Sequence, residues 1–324
     1  MSQAPVGDAD RATSRTSLRD ALLPDHVTRY TRVLAWLLLI SNIVIVGTGG
    51  LVRLTGSGMG CETWPYCTSE SLVPTEELGI HGLIEFGNRT LTGVLVVIAL
   101  LAFLSVVRLW KTRPELPSLT LAVGIGIILQ AVIGGVTVLL HLHPAVVGLH
   151  YLVSAALVAI ATAYVVRVYA TPGPQRTAVP KRYAVLVHVT SVVLLVTVLI
   201  GILLTGSGPH AGDDAAARNG LDPILWQHVH SWPAYVLFAL TLIVFAGSFR
   251  MPEILRLPLW TGLLLAVEVV QIIVGIWQAR TGLPIALVNI HMVLAVSLVA
   301  AMTAVLMHLK APRAVLTVDG GSTT

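Results

Sequence analysis

Stretches of about 20 predominantly apolar residues recur along nearly the whole of this chain, and a stretch of that length crosses a hydrocarbon core of roughly 30 Å as a helix. Chain in that solvent must satisfy its backbone polar groups internally, which leaves helices or closed barrels. Barrel strands are about 10 residues of strict alternation, whereas these runs are continuously apolar, so a barrel is excluded. Charged residues make up 11% of the 324 against roughly 25% in soluble domains, which excludes a soluble globular class. The expected fold class is an all-α integral membrane protein.

Bounding the runs by charge, Pro and Gly predicts eight transmembrane helices near residues 31–52, 82–107, 117–140, 145–166, 184–205, 223–248, 258–279 and 286–308. An even number places both termini on one side. Of the 20 Lys and Arg, all but Arg53, Arg89, Arg218 and Arg280 fall on that side, so the positive-inside rule makes both termini cytoplasmic in a multi-pass membrane protein. The formal charge of +4, spread over many loops, reports orientation; no basic stripe interleaved with aromatics points to nucleic acid. The opening residues, polar and mixed in charge, read as a cytoplasmic disordered tail over 1–30 instead of a cleaved signal.

The second half repeats the first. A shift of 141 residues aligns Gln130, Gly134, His150, Leu157, Val158, Ala159, Thr162 and Ala163 with Gln271, Gly275, His291, Leu298, Val299, Ala300, Thr303 and Ala304, and Thr55-Gly56-Ser57-Gly58 recurs as Thr205-Gly206-Ser207-Gly208. Equivalent points four spans apart share an orientation, so the expectation is two tandem four-helix bundles related by a pseudo-two-fold axis along the membrane normal. Their bounds are 31–168 for the N-terminal bundle and 184–309 for the C-terminal one. A Pro-rich cytoplasmic linker spans 169–183, and a cytoplasmic tail spans 310–324.

Eight of the 11 histidines fall towards the outer side: His81, His141, His143, His150, His210, His228, His230 and His291. His230 and His291 each lie roughly 10 Å inside an outer helix end at 1.5 Å per residue. Two imidazoles at matching depth on facing helices meet the requirement for bis-histidine haem ligation. His150, the repeat-mate of His291, has the same depth, but the position matching His230 is Asn88. His81, two turns outward on the same helical face, is the available substitute. The isolated His141, His143, His210 and His228 read as interfacial hydrogen-bonding residues, and no closed four-ligand set suggests zinc.

Both cysteines lie in the first outer loop, in Cys61-Glu-Thr-Trp-Pro-Tyr-Cys67. An oxidising outer compartment favours a disulfide between them, either as a loop staple or as a labile redox pair. The Thr-Gly-Ser-Gly segments read as helix ends that permit close backbone approach. Glu85, with Arg89 one turn deeper on the same face, is the leading carboxylate for chemistry, an intrahelical ion pair being the plainer reading. Glu268 falls in the middle of the seventh span, where an unpaired charge costs at least about 2.5 kcal/mol. With Gln271 one turn away, a hydrogen-bonded structural role and a proton route both remain open for it.

The run Gly49-Gly50-Leu51-Val52-Arg53-Leu54-Thr55-Gly56-Ser57-Gly58, then Cys61, Trp64-Pro65 and Cys67, then Glu85 to Arg89, then His150, His230 and His291, resembles the haem A synthases of the bacterial type. The resemblance covers all eight spans. It implies a haem-dependent oxidoreductase of the bacterial inner (cytoplasmic) membrane that oxidises the C8 methyl of haem O to the formyl group of haem A by successive hydroxylations. It also implies haem b as cofactor on His230 and His291, and haem O as substrate in the N-terminal bundle on His150. Glu85 matches the functional glutamate, Arg89 the basic residue after the ligand position, and Cys61 and Cys67 the outer-loop pair. The histidine usual three residues after that glutamate is Asn88 here, so the substrate haem is ligated by His150 alone or with His81. Molecular oxygen or water supplies the oxygen. The implied partners are a haem O synthase upstream, cytochrome oxidase assembly as the destination, an electron donor and the lipid bilayer, and a homo-oligomer is compatible with them. Two other classes satisfy the histidine pattern: a dihaem b-type electron carrier, and a repeat-built transporter with Glu268 in its pathway.

Overall fold

The computed structural model describes residues 19, 22–173, 175–251, 254 and 256–312; most of the two expected tails, 1–30 and 310–324, lies outside them. Its eight long helices are α1 (Arg29–Leu54), α2 (Gly79–Leu104), α3 (Glu115–Leu139), α4 (Pro144–Tyr169), α5 (Lys181–Ser207), α6 (Pro223–Ser248), α7 (Leu257–Arg280) and α8 (Ile285–His308). All eight are long and apolar enough to cross a membrane, and the protein is a multi-pass membrane protein.

Several helices start a few residues before the expected spans, because their first turns are set by capping residues and proline and not by apolar side chains. α1 begins behind Thr28, whose hydroxyl accepts from the Thr31 N–H while the Thr31 side chain returns to the Thr28 backbone, a capping box that satisfies two orphan donors. In α3, Pro117 lies in the first turn, where the missing N–H costs nothing. Proline likewise opens α4 and α6.

Two apolar clusters form the interior. One joins Leu38, Val46, Leu95, Ala99, Leu116, Ile127, Val158 and Tyr164 of α1 to α4; the other joins Val187, Leu194, Leu237, Val244, Leu264 and Val305 of α5 to α8. α8 serves both, since Val296 belongs to the first cluster. Its approach to α1 is close: a Cβ on Gly47 would stand 3.1 Å from Val293 Cγ2, and one on Gly50 would stand 2.3 Å from Asn289 Oδ1. Small residues are what let membrane helices come this near. Across the same junction the Tyr151 hydroxyl of α4 donates to the Met292 carbonyl of α8 at 2.8 Å.

The repeat reaches down to backbone angles. His141 and Leu142, between α3 and α4, have φ of 47° and 58°, and their partners at the 141 shift, Gly282 and Leu283, have 77° and 60°. In both turns the leucine N–H reaches back to a helix carbonyl, Thr137 at 2.8 Å and Gln278 at 2.9 Å, closing the helix end through a left-handed residue.

The two Thr-Gly-Ser-Gly segments behave differently. The first follows the end of α1, with Gly56 at φ 69°, whereas the second is still helical through Ser207. The α5 carbonyls that would end the helix find partners elsewhere: Asn219 Nδ2 donates to Leu203 O at 2.7 Å and Arg53 Nη2 to Thr205 O at 2.9 Å. Arg53 Nε also donates to His210 O at 2.8 Å, and the Gly58 N–H to Gly212 O at 2.8 Å. The loops that follow α1 and α5 are thereby joined.

The stretch expected as a plain linker contains β1 (Gln175–Thr177), which pairs antiparallel with β2 (Lys310–Pro312) in the register Gln175 to Pro312, Arg176 to Ala311 and Thr177 to Lys310. The residues just after α8 are thus tied back to the chain between the halves.

Candidate functional site

His230 on α6 and His291 on α8 stand with ring centroids 6.4 Å apart and ring planes at 73°. Each packs against a glycine on the neighbouring helix. A Cβ on Gly201 of α5 would lie 3.0 Å from His230 Cε1 and 3.4 Å from Nδ1, and one on Gly275 of α7 would lie 3.0 Å and 3.5 Å from the same atoms of His291. The Cε1 corner of each ring therefore points at the helix wall, with Nδ1 the nearer of the two ring nitrogens to it and Nε2 slightly further away, at 3.7 Å and 4.0 Å. The Nδ1 atoms of both are buried without a hydrogen-bond partner.

This arrangement fits an iron held between two imidazoles. Two metal–nitrogen bonds of about 2 Å, with half a ring beyond each, need about 6 Å between ring centres. Neither Nε2 makes a hydrogen bond among the described residues. The backbone of Thr197 lies beside the His230 ring and that of Gln271 beside the His291 ring, the kind of acceptor that orients a ligating imidazole. The carbonyl of His291 is held in turn by Gln271 Nε2 at 3.1 Å.

His150 on α4 repeats this environment in the first half. Its ring packs on Gly134, where a Cβ would lie 3.3 Å from Cε1, its Nδ1 is buried and unpartnered, and Gln130 Nε2 donates to its carbonyl at 2.9 Å. The Gln130 amide also bonds Ser154 Oγ. Asn88 on α2 lies beside Gly49, and its Oδ1 accepts from Thr48 Oγ1 at 2.8 Å. His81 is exposed, and its Nδ1 is engaged with Ser57 Oγ at 2.8 Å. It stands about 10 Å along the α2 axis from Asn88.

Cys61 and Cys67 form a disulfide and both are fully buried. Glu85 and Arg89 hold the loop they close. Glu85 Oε2 accepts from the Cys61 N–H at 2.7 Å, and its Oε1 pairs with Arg89 Nη2 at 2.5 Å. Arg89 also donates to Thr63 O at 3.0 Å and Tyr66 O at 3.2 Å. The expected ion pair is present, and it is also a clamp on the loop. Trp64 of this loop lies against Gly135, where a Cβ would meet its ring at 2.4 Å. Gly134 and Gly135 thus receive His150 and Trp64, which places the cysteine loop beside the His150 region.

Sequence reasoning did not assign roles to Thr48, Trp64, Gly135, Gly201 or Tyr151. The glycines were the available signal, since Gly134 and Gly275 recur at the repeat shift with the histidines they face. Glu268, on α7, has neither carboxyl oxygen hydrogen-bonded and is 2% exposed. His141, His143 and His228 are exposed, and His210 Nε2 bonds the Leu283 carbonyl at 3.0 Å.

Comparison with known proteins bears on this arrangement. The profile of the COX15-CtaA family, described as cytochrome oxidase assembly protein, matches residues 32–303. A haem A synthase of Listeria welshimeri is 31% identical over 131 residues, covering 39% of this chain and 41% of the relative. One of Alkalihalophilus pseudofirmus is 32% identical over 117 residues, 36% of this chain and 39% of the relative. One of Staphylococcus epidermidis is 25% identical over 236 residues, 67% of this chain and 76% of the relative. The chain spans about two-fifths of the length of the Listeria protein it matches.

Proposed function

The chain belongs to the COX15-CtaA family of cytochrome oxidase assembly proteins, and from that premise we propose that it is a haem A synthase, oxidising the C8 methyl of haem O to the formyl group of haem A. The observation that carries this reading is the His230–His291 pair, buried with ring centroids 6.4 Å apart, together with one further histidine in the same glycine-faced setting in the other half. A dihaem carrier needs four such ligands; Asn88 stands where the fourth would be. The relatives named haem A synthase also favour the enzyme over the carrier and over a transporter.

In this reading His230 and His291 hold haem b in the C-terminal bundle, and His150 holds the substrate haem in the N-terminal bundle with an axial position left open on the Asn88 side. Haem b, when bound, supplies redox chemistry that side chains lack. The protein positions and encloses. Gly201, Gly275 and Gly134 let the imidazoles turn into the bundles, and Gln271 and Gln130 fix the backbone beneath two of them. Two hydroxylations of the substrate methyl give a geminal diol, which loses water to the aldehyde. Glu85, buried next to the loop that lies beside His150, accepts a proton in that sequence, and Arg89 holds its carboxylate in place. The loop itself covers the outer end and limits water.

The termini lie in the cytoplasm of a bacterium, with the histidines and the disulfide towards the outer face of the inner membrane. A haem O synthase upstream and cytochrome oxidase downstream are the corresponding supplier and recipient. The deciding experiment is mass spectrometry of haems extracted from membranes that express this protein together with a source of haem O. Haem A, or the C8 alcohol, is the expected product; haem O left unchanged with oxygen and reductant present overturns the assignment.

A further inference from the structure

The seam between α6 and α7 carries polar groups that the ligand sites do not use. Glu268 is 2% exposed, and neither carboxyl oxygen has a hydrogen-bond partner. The polar side chain beside it is Thr241 of α6, also fully buried, whose hydroxyl is near the carboxyl but outside hydrogen-bonding geometry. Two turns towards the linker side on both helices, Thr261 Oγ1 donates to Ser248 Oγ at 3.1 Å, and both residues are fully buried. On the other side of Glu268, Gln271 binds the His291 carbonyl with its Oε1 unpartnered, as is Gln278 Oε1 further out. Thr261, Glu268, Gln271 and Gln278 share one face of α7, so polar groups run from the inner third of the seam to the level of His291.

In the first bundle the matching helix keeps polar residues at Thr120, Gln130 and Thr137, the repeat-mates of Thr261, Gln271 and Gln278, but lacks the acid and its partners. At the repeat shift of 141, Glu268 corresponds to Ile127, and at 142 Thr241 and Ser248 correspond to Ala99 and Val106, all buried in the apolar cluster. The acid therefore occurs only in the half that carries His230 and His291. A carboxylate at mid-membrane depth is costly unless a positive charge shares its surroundings. An oxidised iron porphyrin between two neutral imidazoles carries one net positive charge, which one-electron reduction cancels.

Resting on the reading that His230 and His291 hold haem b, we propose that Glu268 with Thr241 is a proton-binding site coupled to that redox centre. One electron accepted from an external one-electron reductant is matched by one proton drawn from water along the Ser248–Thr261 side of the seam on to the Glu268 carboxylate. Reoxidation releases both. The helices packed on α7 are α6 and α8. Their titratable groups are His228, His230 and Tyr235 on α6, and His291 and His308 on α8; α7 itself adds Arg280. His308 Nδ1 is within bonding distance of its own helix at Ala304 O, and its ring lies on Trp260. None of these groups bonds the Glu268 carboxyl among the described residues.

The test is a redox titration of the purified haem-loaded protein, followed by haem absorbance at several pH values. The midpoint potential is expected to fall as pH rises, because protons favour the reduced form. In Glu268→Gln, with haem still bound, the potential becomes independent of pH over the same range, and in Thr241→Val the pH range shifts. A flat potential in the native protein, or an unchanged slope in Glu268→Gln, overturns the proposal. Should Glu268→Gln fail to hold haem, redox-difference infrared spectra of the native protein decide: reduction must produce a protonated-carboxyl band, and its absence overturns the proposal. Native protein that binds no haem defeats the ligand reading instead, which separates the two failures.

Discussion

Gly201 lies so close to the His230 ring that a Cβ there would stand 3.0 Å from Cε1. A valine at this position must push the imidazole off its axis or separate α5 from α6. Gly201→Val is expected to lose most of the haem b absorbance of the purified protein, and Gly275→Val to do the same through His291. Gly134→Val, which acts on His150 alone, should retain that absorbance while haem A formation falls.

Removing the rings themselves separates the two halves more sharply. His230→Ala and His291→Ala are each expected to abolish bound haem b, read from the reduced-minus-oxidised spectrum. His150→Ala should keep the spectrum and stop conversion of haem O, measured by mass spectrometry of extracted haems. A His150 variant that converts haem O at the native rate would remove that residue from the substrate site.

The Glu85–Arg89 pair joins α2 to the cysteine loop through three contacts, to Cys61, Thr63 and Tyr66. Arg89→Ala leaves the buried carboxylate with one donor and frees two carbonyls, a loss of about 1–3 kcal/mol seen as a lower melting temperature. Arg89→Lys should restore only part of it, because a point charge cannot span Glu85, Thr63 and Tyr66 together. Opening the short disulfide loop with Cys61→Ala and Cys67→Ala is expected to cost about 2 kcal/mol. Full haem A formation in that double variant would leave the bridge as a staple only.

Backbone strain offers a stabilising change. His141 has φ 47° where its repeat partner is Gly282 at 77°. A non-glycine residue in the left-handed region costs about 1 kcal/mol, so His141→Gly is expected to raise the melting temperature without altering bound haem. Gly282→Val should lower it.

The helices and the three inward histidines were legible in the sequence because hydropathy marks each span and the repeat sets their depth. His150, His230 and His291 needed no tertiary information beyond that. The contacts that fix their rings did need it: Gly201 lies 29 residues from His230 in the chain, and only the packed α5–α6 pair brings them together. Trp64 reaching Gly135 and Thr48 reaching Asn88 are of the same kind. The β1–β2 ribbon was missed because three mixed residues on each strand carry no alternation to detect. The expected helix starts fell a few residues late because first-turn and capping residues such as Thr28 and Glu115 lie outside the apolar runs that bound the expected spans.

α8 brings His291 to one bundle while its Gly50, Gly47 and Tyr151 contacts belong to the other. On the proposed assignment the two haem sites share one rigid element, and any coupling carried by it is expected to act equally in both directions. Haem b should therefore be held with different strength when haem O is present. On that assignment, cofactor retention is expected to report substrate occupancy through a single helix.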